Sequence, residues 1–309
     1  MSATTPNATR DENANPNPDL DPARKQLVQD VIKEINHIAT LPEVTIKIIK
    51  LVEDPDSTAQ DLNKVISNDP ALGTRILKVV NSAFYGLPGQ IGSINRAIFL
   101  LGLNAVKNIA IAASLAKLFR GGQICPGFNA KDLWTHSIAV ATATKQLADK
   151  ISLGFPDEAF LAGLIHDLGI MVEIQARRAK FAEAFEKFTA DSSMTLRQAE
   201  LQYIGATHEE FGSALCKLWK FPSSLVYVTG FHHRPTELAI EHRTLTGLVC
   251  VADTVAVRAK LGFTGTVEND EPAPELLTEL NLTREVVEEI VNVLPESMER
   301  ADHLIKDAA

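Results

Sequence analysis

Residues 160–169 read Phe-Leu-Ala-Gly-Leu-Ile-His-Asp-Leu-Gly, an apolar run that carries His166 and Asp167 side by side. Leu161, Leu164, Ile165 and Leu168 recur at three- and four-residue spacing, which predicts a helix with a buried face. Burying that helix takes a carboxylate in with it, and a carboxylate in a core is costly unless a cation or hydrogen bonds compensate it. Any fold open to this chain must therefore gather partners around Asp167. Neighbouring helical residues point about 100° apart, so both side chains reach one cavity only across their shared edge.

Partners are available in the same half of the chain. His136 lies in Leu133-Trp-Thr-His-Ser-Ile-Ala, and His208 in Ala206-Thr-His-Glu-Glu-Phe-Gly. His232 and His233 lie in Gly230-Phe-His-His-Arg-Pro, and Asp253 in Val249-Cys-Val-Ala-Asp-Thr. Imidazole and carboxylate together suit iron, manganese, zinc or nickel, with no thiolate needed. Seven such residues exceed what one tetrahedral ion requires, so two ions bridged by Asp167 are a natural reading.

This order of residues resembles the HD superfamily of metal-dependent phosphohydrolases. Taken residue by residue, the resemblance makes His136 the first ligand and His166 with Asp167 the dyad that names the superfamily. It makes His208 the third ligand helix, His232 and His233 the histidine pair of dinuclear members, and Asp253 the final aspartate. Asp132, one turn before His136, occupies the place of an extra carboxylate in some dinuclear cyclic di-GMP phosphodiesterases; alternatively it is a first-turn carboxylate favoured by the helix dipole.

A narrower resemblance lies outside those residues. The segments Leu41-Pro-Glu-Val, Asp69-Pro-Ala-Leu-Gly through Asn81-Ser-Ala-Phe-Tyr-Gly86, and Ile91-Gly-Ser-Ile-Asn-Arg-Ala-Ile leading to Leu101-Gly-Leu are similar to the helical first half of the HDOD family, the HD-related output domain of bacterial signalling proteins. That likeness spans roughly residues 38–258. It implies an output role exerted through contacts with other signalling proteins. The hydrolytic HD-GYP relatives carry a lysine three residues after the dyad aspartate, where this chain has Ile170, and a Gly-Tyr-Pro segment where it reads Arg234-Pro-Thr-Glu-Leu. Losing that lysine removes a positive charge from the leaving-group region. The expectation is a retained site for one or two divalent ions, iron or manganese favoured, without typical cyclic di-GMP phosphodiesterase activity. The alternative is a metal-dependent phosphohydrolase acting on a nucleotide or phosphodiester; a third reading is an inert helical scaffold.

Composition narrows the classes further. A net charge of −9 argues against a dominant nucleic-acid surface. Cys125, Cys216 and Cys250 form no metal or redox spacing and fit a reducing cytosol. The most apolar stretch, 97–116, is interrupted by Asn104, Lys107 and Asn108, so it reads as a buried helix rather than a membrane span. The expected setting is cytoplasmic, with a homo-oligomer compatible.

The architecture reads as all-α, a multi-helix bundle of two closely packed helical subdomains. Residues 1–21 form a disordered tail on composition, rich in Asn, Pro, Asp and Thr. A first bundle is expected over 22–119 and a metal-type bundle over 128–260, divided at Arg120-Gly-Gly-Gln-Ile-Cys-Pro-Gly127. A loop and C-terminal helices over 261–309, including a helix Thr283–Val293, complete the chain. Asp69-Pro70, Thr195-Leu-Arg-Gln198 and Thr207-His-Glu-Glu210 mark helix starts. An apolar helix is expected over Ile98–Leu115, and Gly86 is read as the left-handed end of the helix before it. His37, His242 and His303 read as surface residues. Arg234 is a candidate phosphate contact, or else a solvated charge before a proline.

Overall fold

The computed structural model describes residues 21–35, 42–82, 85–119 and 122–300. The tail, His37, Leu41, His303 and the Ala83-Phe84 step of the family-like segment lie outside these. In chain order the helices are α1 (Pro22–Glu34), α2 (Glu43–Glu53), α3 (Ala59–Ile66), α4 (Pro70–Val80), α5 (Ile94–Leu101) and α6 (Leu103–Leu115). Two short antiparallel strands follow, β1 (Gln123–Cys125) and β2 (Phe128–Asn129). Then come α7 (Ala130–Lys150), α8 (Pro156–Ile165), α9 (Leu168–Ala176), α10 (Arg178–Ala190), α11 (Leu196–Tyr203) and α12 (His208–Leu218). The last are α13 (Ser223–Phe231), α14 (Arg243–Arg258), α15 (Pro274–Glu279) and α16 (Arg284–Arg300). The fold is all-α, with the strands confined to the Gly- and Pro-rich segment between α6 and α7.

Local chemistry sets the helix starts. The Asp69 carboxylate accepts from the Leu72 N–H with Pro70 in the first turn, and both Thr195 and Thr207 close capping boxes with Gln198 and Glu210. The second box matters most, because His208 is the first helical residue after it. Two expected continuous helices are broken. Gly102 adopts φ +88°, a conformation costly for a side chain, and ends α5 by donating to the Ile98 carbonyl, so the expected Ile98–Leu115 helix is two. The dyad also lies between helices, not within one: α8 stops at Ile165 and α9 begins at Leu168. Gly86 has φ +58° but does not cap α4, which ends five residues earlier at Asn81. There the Asn81 side chain takes over, bonding the Ile91 backbone through both its amide N–H and its carbonyl oxygen at 2.8 and 2.6 Å.

One continuous apolar core runs through the molecule. α6 is buried nearly all round between α2 and α4 on one side and α8 on the other. Its Lys107 is buried too, donating to the Leu51 carbonyl and to the Ser57 hydroxyl at 2.5 Å. α1 crosses the division expected at 120–127, packing on α12 and α9. The long apolar stretch Pro156–Ala176 has the length and composition of a membrane span, but 89% of its apolar window is buried in the core. α16 extends beyond the expected Thr283–Val293, and buries Val287, Ile290, Leu294 and Met298 against α7 and α14 of this same core.

Gly169 permits the closest approach that positions the site. A Cβ there would stand 1.8 Å from the His208 carbonyl oxygen and 2.8 Å from the Gly212 amide. α9 and α12 therefore meet backbone to backbone, holding Asp167 and His208 at a fixed separation. Gly169→Ala should lower the free energy of unfolding by about 3 kcal/mol, read as a shifted urea midpoint; a variant as stable as the parent would contradict this packing.

Candidate metal centre

Four helix ends and two helix interiors bring the seven residues together. His136 projects from α7 and Asp253 from α14, both inside helices. His166 and Asp167 occupy the α8–α9 junction, His208 opens α12, and His232 and His233 follow the end of α13. The first six are 0–1% exposed, while the His233 side chain retains 7%.

Asp167 stands at the middle. Its Oδ1 faces His232 Nε2 at 3.4 Å and His208 Nε2 at 3.6 Å. Its Oδ2 faces His166 Nε2 at 3.2 Å and His136 Nε2 at 3.8 Å. Asp253 Oδ1 lies 3.1 Å from His136 Nε2, and its Oδ2 lies 3.9 Å from His233 Nδ1. His208 and His233 bring their Nε2 atoms within 3.1 Å. Donor atoms fall into three overlapping sets, each within 4.8 Å: Asp167 with His208, His232 and His233; Asp167 with His136 and His166; and Asp253 with His166 and His232.

The opposite edges of three rings are held from behind. His166 Nδ1 meets the Gly163 carbonyl at 2.7 Å, and His232 Nδ1 meets the Val228 carbonyl at 3.1 Å. His208 Nδ1 meets Glu200 at 2.8 Å, and the same carboxylate accepts from the His208 backbone N–H at 3.1 Å. Each contact turns Nε2 towards Asp167, the orientation that metal-bound histidines receive from such partners.

A divalent ion fits this donor set. His136 Nε2, His166 Nε2, His232 Nε2, both Asp167 oxygens and Asp253 Oδ2 are buried without a hydrogen-bond partner among the described residues, a costly state that coordination removes. Ligand atoms about 2.1 Å from an ion stand roughly 3.0–3.4 Å apart in octahedral or tetrahedral sites. Several separations above are of that order. Neutral imidazoles with two carboxylates also supply a net charge suited to a dication. No cysteine among the described residues joins these donor sets.

Without an ion, the charges settle among these groups. Burial opposes ionisation of Asp167, but His166, His232 and His208 outweigh it and hold the carboxyl well below its usual range. Burial likewise disfavours charge on His208, yet Glu200 and then Asp167 raise it to about 9. Burial depresses His233, and the neighbouring His232 and His208 depress it further.

Asp132 and Arg234 stand differently from the other candidates. Asp132 is exposed in the first turn of α7 and joins none of the donor sets, the first-turn carboxylate of the alternative reading. Arg234 is neither free for phosphate nor fully solvated. It pairs with Glu209 at 3.3 Å and Glu237 at 2.7 Å, donates to the Gly230 carbonyl, and lies 4.8 Å over the Phe231 ring. Glu209, fully buried, also pairs with Arg197 at 3.0 Å and accepts from the His233 N–H. His242 is exposed and stacks on Tyr227.

Sequence reasoning missed the supporting acids. Glu173 is fully buried on α9, where burial and Glu200 push its carboxyl well above the usual range. The signal was present, a lone acid in the apolar run Leu168–Ile174. Glu200 and Glu209 gave no comparable sign, because each sits among ordinary polar helix residues.

The fold and the buried histidine–aspartate cluster define a helical protein of HD type. The HDOD domain profile matches residues 38–235, and the chain belongs to the HDOD family. That match includes the histidines and Asp167 of the cluster; Asp253 lies beyond it. An uncharacterized protein of Treponema pallidum (strain Nichols) is 26% identical over 236 residues, which are 74% of this chain but only 44% of that protein. Among solved structures, an HDOD domain protein with unknown function from Geobacter sulfurreducens aligns with a TM-score of 0.78 at 24% identity, covering 91% of this chain and 98% of that one. A Marinobacter aquaeolei VT8 protein, provisionally named a signal transduction protein, gives 0.74 at 22% identity over 94% and 68% of the two chains. A Shewanella amazonensis SB2B protein, provisionally named a phosphohydrolase, gives 0.71 at 22% identity over 92% and 98%. These structural likenesses show the fold.

A histidine whose pKa rises on folding, here from 6.5 to about 9, adds stability that is complete below 6.5 and lost as pH climbs to 9. His166, also raised, acts in the same direction, whereas the depressed His232 and His233 act below 6.5. Chelator-treated protein should therefore lose stability between pH 6.5 and 9, and Glu200→Gln should flatten that loss. A flat profile in the parent would contradict the assignment.

Proposed function

We propose that this is a signal-transduction protein whose HD-type cluster holds one or two divalent ions, iron or manganese favoured, and which acts through contacts with other signalling proteins. The observation that carries this reading is closure: apart from His233, the ligand side chains are 0–2% exposed. Asp167 and Asp253 would have their charge offset by an ion held there, which would also supply Lewis acidity. The chain's own residues do the rest. Gly163, Val228 and Glu200 orient the imidazoles, and the closed helix junctions exclude water. The helices holding ligands, α7, α8, α9, α12, α13 and α14, would then be cross-linked through one centre, so loading the site would stabilise their packing or switch it.

A second reading, a phosphohydrolase acting on a nucleotide or phosphodiester, has one specific support. Asp167 divides its oxygens between two donor groups, the arrangement of a carboxylate bridging two ions, and the adjacent His233 borders solvent. Two facts weigh against it. Ile170 is fully buried where hydrolytic relatives place a lysine, and the Arg234 guanidinium is taken by Glu209 and Glu237.

Chelation should lower the melting temperature by about 5 °C or more, with recovery on adding manganese or iron(II). A panel of nucleotides and cyclic dinucleotides should show no turnover that depends on Asp167. Turnover abolished by Asp167→Ala would decide for the hydrolase.

A further inference from the structure

Away from the metal-type cluster, the first turns of α6, α8 and α13 converge on a cleft of about 690 Å³. That size suits a small organic molecule. Asn108 on α6 lines it and is only 8% exposed. No hydrogen bond among the described residues involves its carboxamide, and its polar atoms are not among the buried orphaned ones, so they stay open to the cleft. An amide open to a cleft can pair with the donor and acceptor of a molecule held there. Asn104, one turn earlier, lines the same cleft, and these two are the polar residues that interrupt an otherwise apolar stretch without bonding within it. The first turn of α6 has neither a side-chain cap nor an acid, so its N–H donors are left for a ligand.

The other two helix ends are already neutralised. Asp157 and Glu158 sit in the first turn of α8. Asp157 pairs with Lys145 at 2.8 Å, and Glu158 accepts from the Ser224 hydroxyl at the start of α13 at 2.7 Å. Two carboxylates beside the cleft disfavour a phosphate and favour a neutral ligand with donors of its own. Leu101, Ile111, Leu161 and Leu225 supply apolar walls. A carboxamide offers an adjacent donor and acceptor, the complement of a heteroaromatic edge.

We propose that this cleft binds a neutral, planar, hydrogen-bonding heteroaromatic compound of nucleobase or nucleoside type, its donor–acceptor edge paired with Asn108. The site lies between the α2–α6 layer and the helices that carry the metal-type residues. α8 runs from the cleft to His166, and α13 runs from it to His232. Occupancy therefore bears on the two helices that lead to the cluster.

The test is calorimetric titration of the full chain with adenosine, guanosine, cytidine and uridine and with their 5′-monophosphates. At least one nucleoside should bind more tightly than its monophosphate. Asn108→Ala should weaken that binding about tenfold with an unchanged melting temperature, and Leu225→Trp, which fills the cleft, should abolish it. His242→Ala, at an exposed position outside both sites, should leave it intact. The proposal is overturned if no nucleoside binds at millimolar concentration, or if binding survives both cleft variants.

Discussion

A single buried carboxylate governs the second half of this molecule. Asp167 is fully buried with both oxygens lacking a hydrogen-bond donor, and four imidazole Nε2 atoms face it between 3.2 and 3.8 Å. No apolar core tolerates that group alone. The helices around it are arranged to answer its charge, from α7 on one side to the start of α12 on the other.

That requirement explains why the packing is tight at places far from ordinary core logic. α9 and α12 touch backbone to backbone at Gly169, which no larger residue permits. The α8–α9 run breaks at the dyad, freeing the Gly163 carbonyl to hold the His166 ring. Behind His208 stands Glu200, and behind Glu200 the carboxyl of Glu173, so acids arranged in depth tune a histidine whose front edge meets Asp167. Arg197 and Arg234 converge on Glu209, which in turn fixes the His233 backbone. Arg234, which the sequence left as either a phosphate contact or a solvated charge, is paired within this frame.

Much of this was legible in the chain itself. The apolar run around His166-Asp167, the capping box before His208 and the single polar residues in buried helices each have a local cause, so each can be read locally. The breaks at Gly102 and at the dyad were not, because periodicity continues across both and only the backbone geometry interrupts it. Glu200 escaped notice for a different reason: its importance comes from a partner eight residues away across a turn, with no periodic or compositional trace. Asp132 shows the converse, a residue placed one turn from a ligand by sequence and pointed to solvent by the helix.

The orphaned atoms around Asp167 are proposed to hold a divalent metal. The most direct test is elemental analysis of protein purified without chelator or nickel affinity resin, beside His166→Ala and the exposed-residue control His242→Ala. One or two equivalents of iron or manganese are expected in the parent and the control, with loss in His166→Ala. A metal-free parent, or equal metal in all three, would contradict it.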